Sequence, residues 1–243
     1  MTDFSKLKKS NFVYFLKKVW PEHVHFNAGV KRVFEEDKAH ENDRATYIKL
    51  LFLDKAYSAG LRRWVKRCAP DECPNPNRKG ECRCDTVELV VDGLEVGKST
   101  SEFRKAISQS SKIGKYLSRS NQEAVVNCHG TFSKAFLKQI REIDGTDEKP
   151  KFQSFTSKYL WFHAGVFPVF DRVARVGLKR LQERGTKQCE TYEELVDQVI
   201  SLMEKLYEKK SCSKFTPEQI KKADGYLIWI GARAANMKRG MSE

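Results

Sequence analysis

The sequence predicts an all-α protein with one small inserted β-hairpin. Apolar residues recur every three or four positions over most of the 243 residues, as they do on the buried face of a helix. Helix-capping patterns precede several of these segments, whereas one interval, 68–97, has short β-branched runs around a turn. Because the chain has no internal repeat or low-complexity tract, we expect a single helical domain over 1–243 that carries the insertion.

Two helices are predicted in the N-terminal part of the chain. The first spans Asn11 to Trp20, with large apolar residues at helical spacing, and Pro21 ends it. The second spans Arg44 to about Lys66, where apolar residues again recur every three or four positions.

Further helix starts are predicted where Ser or Thr is followed three positions later by Glu or Gln. In such a capping box each side chain accepts a hydrogen bond from the backbone N–H of the other residue. The boxes are Ser99/Glu102, Ser120/Glu123, Thr191/Glu194 and Thr216/Gln219. Pro217 suits the first position of the last helix, which extends to about Ala235, because proline has no N–H to leave unpaired there.

The interval 68–97 breaks the helical pattern. Its runs 86–91 and 94–96 are rich in β-branched residues and flank the dipeptide Asp92-Gly93. Asp-Gly is typical of a two-residue hairpin turn because both turn positions need positive φ. We therefore predict a small β-hairpin between helices.

The same interval contains four of the seven cysteines. These are Cys68, Cys73, Cys82 and Cys84. Four thiolates can close a tetrahedral zinc site, which would stabilise a loop that has little core of its own. The spacing lacks the paired Cys-x2-Cys pattern of many such sites, so structural zinc and free thiols on a polar loop both stay open. The other three, Cys128, Cys189 and Cys212, are predicted to be packing residues.

The balance of charges favours a polyanionic partner. The chain has 45 Lys and Arg residues against 32 Asp and Glu residues, a net charge of +13, and nucleic acid is the first expectation for such an excess. Residues 101–141 contribute eight basic and two acidic side chains, a net charge of +6, which suits a phosphate-binding flank. A solvated basic surface without specificity is the alternative.

No apolar run approaches the roughly 20 residues needed to span a bilayer, and no secretory segment opens the chain. We therefore expect a cytoplasmic protein that has no membrane partner and whose cysteines stay reduced. The sequence does not constrain the oligomeric state, and we expect a monomer.

The segment 152–176 is where the sequence suggests chemistry. It is rich in aromatic residues and carries two isolated functional groups, Lys158 and Asp171. A lysine among aromatic side chains loses hydration, which favours its neutral, nucleophilic amine, and a nearby aspartate can orient that amine. An ordinary ion pair between two helix ends is the alternative.

Helix signals divide this segment in two. Ser154 or Ser157 is predicted to cap a first helix, which places Lys158 in its first turns, and Gly165 is predicted to end that helix. Asp171 is predicted to begin the second helix as its N-cap.

Two strings of this segment carry a resemblance. SKYLWFH at 157–163 and FPVFD at 167–171 resemble the catalytic segment of the helix-hairpin-helix DNA glycosylases. More narrowly, they are similar to a bacterial group described as 8-oxoguanine-glycosylase-like, some members of which are associated with anti-phage defence. Residues 224–231 also resemble the closing helix of that group. The resemblance covers 152–235 and reaches the N-terminal half only through its helical content.

The resemblance implies roles for individual residues. Lys158 matches the lysine that attacks the sugar C1′ and forms a Schiff base, and Asp171 matches the aspartate that assists it and stabilises positive charge on the sugar. Phe162 lies one helical turn beyond the lysine, where the superfamily places a residue against the extruded base. Three further side chains are expected near this pocket: Trp161, His163 and Trp229. For each aromatic residue, packing in the core is the alternative.

The sequence departs from the family pattern before the lysine. The Gly-rich hairpin that normally holds a DNA phosphate is absent, since residues 145–157 read GTDEKPKFQSFTS. Other groups must then bind the phosphates, and basic side chains and a glycine backbone are available on two flanks. The expected DNA contacts are Lys112, Gly114, Lys115, Arg172 and Arg175.

The predicted function is that of a DNA glycosylase in base-excision repair, with AP-lyase activity where β-elimination follows. It would remove an oxidised or modified purine such as 8-oxoguanine from duplex DNA, without a cofactor for catalysis. Two alternatives remain. One is a non-catalytic nucleic-acid-binding module of the same fold, and the other is a base-excising enzyme that acts on a nucleotide or on RNA.

Overall fold

The computed structural model describes residues 4–21, 32–35, 43–56, 98–144, 153–182, 186–209 and 213–239. Over these ranges the chain is mainly helical, and its β-structure is limited to one isolated antiparallel bridge between Leu117 and Phe215. This agrees with the predicted all-α class. The predicted hairpin lies outside the described residues, as do four predicted zinc ligands: Cys68, Cys73, Cys82 and Cys84.

The helices follow one another along the described ranges. They are α1 (Lys9–Tyr14), α2 (Asp43–Ala56), α3 (Lys98–Lys112), α4 (Gln122–Asp144), α5 (Gln153–Ala164), α6 (Arg172–Leu181), α7 (Tyr192–Leu206) and α8 (Pro217–Arg239). A π-helical turn, Phe15–Val19, continues α1, and a 3₁₀ turn, Arg119–Asn121, leads into α4. None of the described helices combines the length and the apolar character needed to cross a membrane.

Capping side chains fix where several helices begin. The Thr191/Glu194 box is present before α7, with each side chain accepting from the backbone N–H of the other residue. The box of Thr216 and Gln219 is likewise reciprocal, with N···O distances of 3.0 and 3.3 Å. Both predicted starts are therefore confirmed.

Two of the predicted boxes are wrong. The box before α4 consists of Ser118 and Asn121 rather than Ser120 and Glu123. The Asn121 side chain accepts from the N–H of Ser118 (2.8 Å) and donates to a nearby carbonyl (2.7 Å), which begins the helix with a 3₁₀ turn. Ser99 already lies inside α3, so it is not the N-cap of that helix.

A buried aromatic core joins α4 to α5. The rings of Phe136 and Phe155 stack with centroids 4.4 Å apart, and Phe132 meets Tyr159 at 5.2 Å. These four side chains are at most 1 % exposed. Because a fully buried large apolar side chain stabilises a fold by about 1.5–3 kcal/mol, this contact holds α5 firmly against α4.

Two glycines set the close crossing of α6 and α8. A Cβ atom at Gly177 would overlap the carbonyl of Leu227, and one at Gly231 would overlap the carbonyl of Val173. The helix backbones can approach this closely only because both positions lack a side chain. The crossing fixes α8 against the helix that begins after Asp171.

Candidate active site

Lys158 and Asp171 are in contact across the turn that joins α5 to α6. Lys158 lies in the second turn of α5, which ends at Ala164, and Gly165 follows with φ +73°. The left-handed conformation at Gly165 reverses the chain. Asp171 directly precedes α6, and its Oδ2 lies 3.0 Å from the Nζ of Lys158.

The two oxygens of Asp171 have different partners. Oδ1 accepts from the backbone N–H of Val173 at 2.7 Å, so Asp171 is the N-cap of α6, as predicted from the sequence. Oδ2 forms the ion pair with Lys158. Burial would raise the pKa of Asp171, but the charge of Lys158, its hydrogen bond and the N–H groups of Val173 and Ala174 together lower that pKa below its ordinary value.

The two members of the pair differ in exposure. The side chain of Lys158 is 5 % exposed, whereas that of Asp171 is 23 % exposed. The carboxylate is therefore the more accessible of the two groups. A carboxylate in hydrogen-bond contact with an amine can accept its proton and can stabilise a cation that forms beside it.

The predicted pocket residues of α5 lie within the aromatic core. Phe162 is 6 % exposed and stacks on Phe34 at 5.3 Å, and the indole of Trp161 meets Phe162 edge-on at 4.5 Å. The Nζ of Lys221 lies 5.9 Å from the Trp161 ring centroid. His163 is half-buried near the end of the helix. Phe162 thus lies one helical turn beyond Lys158, and its ring packs against Phe34.

Trp229, the remaining predicted pocket residue, lies on α8 beside the N-terminal helix. Its ring is 5.9 Å from Phe15 and 6.1 Å from Tyr14, and the guanidinium of Arg233 lies 4.9 Å from its centroid. Trp229 is half-buried, and Tyr14 is 55 % exposed. The contacts assign Trp229 to the packing of α8 against α1 and the π-helical turn.

The predicted DNA-binding residues differ in their surroundings. Three of them are exposed where α3 ends: Lys112 is its last residue, and Gly114 and Lys115 follow it. Gly114 adopts φ +101° there. Arg172 is exposed at the first position of α6. Arg175 instead donates to the carbonyl of Cys189 at 3.1 Å and its guanidinium lies 4.4 Å from the ring centroid of the preceding Phe170.

One basic side chain of the region 101–141 is already neutralised within the protein. Arg119 pairs with Asp197 and Glu204 and donates to Ser201, all three on α7. Its charge ties the 3₁₀ turn before α4 to α7. The positive charge that residues 101–141 can offer to a partner is therefore smaller than the sequence count suggests.

Sequence reasoning missed a buried polar group close to the pair. Asp224 of α8 is 5 % exposed and accepts from the backbone N–H of Val169, two residues before Asp171. Desolvation and the charge of Asp171 hold the pKa of Asp224 well above its ordinary value, although the Val169 bond opposes this. No local pattern in the sequence indicates that Asp224 reaches the segment before Asp171.

No group of three or more His, Cys, Asp or Glu side chains within the described ranges could hold a metal ion. The predicted cysteine ligands lie outside those ranges. The two described cysteines, Cys128 and Cys189, are buried thiols, and burial raises their pKa values to about 12 and about 11. They are packing residues, as predicted.

Comparison with known proteins identifies no relative: no protein-family model, curated protein or solved structure matches the chain. A functional assignment therefore rests on the residues of the site and on their geometry.

Proposed function

We propose that the protein is a DNA glycosylase that excises an oxidised or modified purine, such as 8-oxoguanine, with Lys158 as nucleophile and Asp171 as assisting carboxylate. The observation that carries the proposal is the 3.0 Å contact between a buried lysine amine and a partly exposed aspartate. Burial of a charged lysine carries a desolvation cost that an exposed ion pair avoids, and a catalytic role of the amine would account for that cost.

The proposed reaction begins when Lys158 releases a proton to water, which leaves a neutral amine that the ionised carboxylate of Asp171 orients. The amine attacks the sugar C1′, the N-glycosidic bond breaks, and the base leaves with the bonding electrons. The negative charge of Asp171 stabilises the positive charge that develops on the sugar in this step. The attacking nitrogen, now positively charged, then loses a proton, which passes through Asp171 to the departed base. Ring opening then gives the Schiff base, which is hydrolysed or undergoes β-elimination of the 3′ phosphate.

Duplex DNA is the proposed partner because the chain carries a net charge of +13 and basic side chains are exposed at the end of α3, just after it, and along α6. These are Lys112, Lys115, Arg172, Lys179 and Arg180. Extrusion of a base costs a few kcal/mol, which phosphate contacts must offset. We leave Arg175 out of this surface because its guanidinium has partners within the protein.

Borohydride trapping tests the proposal. Sodium borohydride reduces a Schiff base to a stable amine, so wild-type protein on a duplex that contains 8-oxoguanine is expected to give a covalent adduct, and Lys158→Gln is expected to give none. Lys187→Gln, which changes an exposed lysine before α7 that is not part of the proposed DNA-binding surface, is the matched control and should keep the adduct.

The proposal fails if neither an 8-oxoguanine duplex nor an abasic duplex gives an adduct while duplex binding is intact. That result would favour a non-catalytic nucleic-acid-binding module, an interpretation that the missing Gly-rich hairpin at 145–157 also favours. An adduct on RNA or on a free nucleotide alone would assign the same chemistry to a different substrate.

A further inference from the structure

Three successive residues before Asp171 are each held by a side chain from a different helix. The contacts are Tyr192 Oη to the carbonyl of Pro168 (3.1 Å), the N–H of Val169 to Asp224, and the N–H of Phe170 to Ser157 Oγ (2.8 Å). The side chains belong to α7, α8 and α5, in that order. The turn is thus attached to three elements of the core immediately before the aspartate.

We propose that Ser157, Tyr192 and Asp224 are positioning residues, which hold the turn 168–170 so that the carboxylate of Asp171 stays in contact with the amine of Lys158. The inference rests on the proposed function of that pair, and it adds the residues through which the pair is aligned.

The turn needs such side chains because it lies between helices. Residues 166–170 belong to no helix or strand, so their backbone groups lack the regular partners of those elements. Most of this segment is buried, and a buried amide group without a hydrogen bond costs about 1–3 kcal/mol. The three side chains supply partners at three consecutive positions and thereby select one conformation of the turn.

The contact made by Ser157 is directly coupled to the pair. Ser157 precedes Lys158 on α5, and Phe170 precedes Asp171 in the turn. The bond from the Phe170 N–H to Ser157 (2.8 Å) and the ion pair of Lys158 with Asp171 (3.0 Å) are therefore successive links between the same two segments. If the first link is lost, the turn loses its attachment to α5 at the residue directly before Asp171.

The other two tethers are themselves immobilised. The ring of Tyr192 stacks on His129 with centroids 3.6 Å apart, and His129 is held by the carbonyl of Gln153 at 3.2 Å. Asp224 lies on α8, whose position is fixed by the glycine crossing with α6. Burial and the charge of Asp171 raise the pKa of Asp224 well above its ordinary value, so the charged form of Asp224 is disfavoured beside the ionised Asp171.

The test uses the full chain and a readout that does not depend on activity. In Ser157→Ala we expect the Phe170 amide to exchange its hydrogen about tenfold faster by NMR, and the pKa of Asp171, followed by carboxyl ¹³C titration, to rise toward its ordinary value. Tyr192→Phe and Asp224→Leu are also expected to raise the pKa of Asp171. Asp224→Asn keeps an acceptor for the N–H of Val169, so it should restore the wild-type titration of Asp171.

Ser133→Ala is the matched control. It removes a partly buried hydrogen bond between the hydroxyl groups of Ser133 and Thr156 of α5 (2.9 Å), which does not involve the turn. It should leave the titration of Asp171 unchanged. Single-turnover base release is expected to fall about 100-fold in Ser157→Ala and little in the control. An unchanged Asp171 titration in all three tether variants, with the fold intact, would overturn the inference. A wild type without glycosylase activity would overturn the proposed function, while the titration still decides the positioning.

Discussion

The Nζ of Lys158 and the Oδ2 of Asp171 are 3.0 Å apart, on opposite sides of the turn that ends α5 and begins α6. The amine is the more deeply buried of the two groups. The proposed catalytic role of the carboxylate can therefore be tested separately from its role as a helix cap.

Replacement of Asp171 by asparagine separates these roles. Asn caps a helix about as well as Asp, so Asp171→Asn should keep α6 and bind duplex DNA, although the loss of the charge opposite the buried Lys158 should lower its stability. It lacks the negative charge and the proton acceptor, so single-turnover base release should fall by about 10²- to 10⁴-fold. Glu190→Gln, which changes an exposed carboxylate paired with Lys187, should leave the rate unchanged. A wild-type rate in Asp171→Asn would remove Asp171 from the proposed mechanism.

His129 makes stability depend on pH. Burial lowers the pKa of His129 from 6.5 to about 4, and its hydrogen bond with Gln153 offsets this only in part. Between these values the unfolded chain binds a proton that the folded chain does not bind. The free energy of unfolding should therefore fall as the pH drops from about 6.5 to about 4, by up to about 1.4 kcal/mol per pH unit.

Urea denaturation at about pH 7 and about pH 5 measures this effect. In His129→Phe, which keeps a ring to stack on Tyr192, the decrease between the two pH values should be smaller than in the wild type. Equal decreases in the two proteins would show that His129 does not titrate in this range.

The crossing of α6 and α8 predicts opposite effects for glycine substitutions. Gly177→Ala and Gly231→Ala place a methyl group on a backbone carbonyl of the facing helix, and each should lower the free energy of unfolding by about 3 kcal/mol. Gly130→Ala is the control, because no heavy atom of the described residues lies within 4 Å of its added Cβ. It should stabilise α4 by about 0.5–1 kcal/mol. Thermal or urea unfolding tests whether Gly177→Ala and Gly231→Ala lower the free energy of unfolding and whether Gly130→Ala raises it.

Two arginines of α6 should have different functions despite lying three positions apart. Arg172→Gln removes an exposed charge, so it should weaken duplex binding for every sequence and reduce the salt slope by about 0.9. Arg175→Gln should instead lower stability, since it removes the bond to Cys189 and the contact with Phe170. Fluorescence anisotropy across salt concentrations, together with urea unfolding, distinguishes them. A larger salt effect in Arg175→Gln would reverse the assignment.

Local patterns predicted the parts of the fold that are determined locally. The boxes at Thr191 and Thr216 and the N-cap at Asp171 involve residues within three positions of one another, so the sequence alone reveals them. The box before α4 was placed two residues too late because Ser118/Asn121 uses an asparagine at the third position rather than Glu or Gln.

The surroundings of the pair could not be read in this way. The sequence predicts Ser154 or Ser157 as the cap of α5, but that helix begins at Gln153, so both serines lie inside it, and the Ser157 hydroxyl accepts from Phe170 instead. Tyr192 and Asp224 reach the turn from helices that lie far along the chain. Such contacts depend on how helices pack, and neither periodicity nor spacing contains that information.

The double use of Asp171 also affects how the protein can evolve. One oxygen of Asp171 begins α6 and the other pairs with Lys158, so a change to alanine would remove a helix cap, worth about 1 kcal/mol, together with the proposed chemistry. In many enzymes the residues that serve catalysis reduce stability, and selection must balance the two properties. At this position selection for a folded chain and selection for the proposed activity would favour the same side chain.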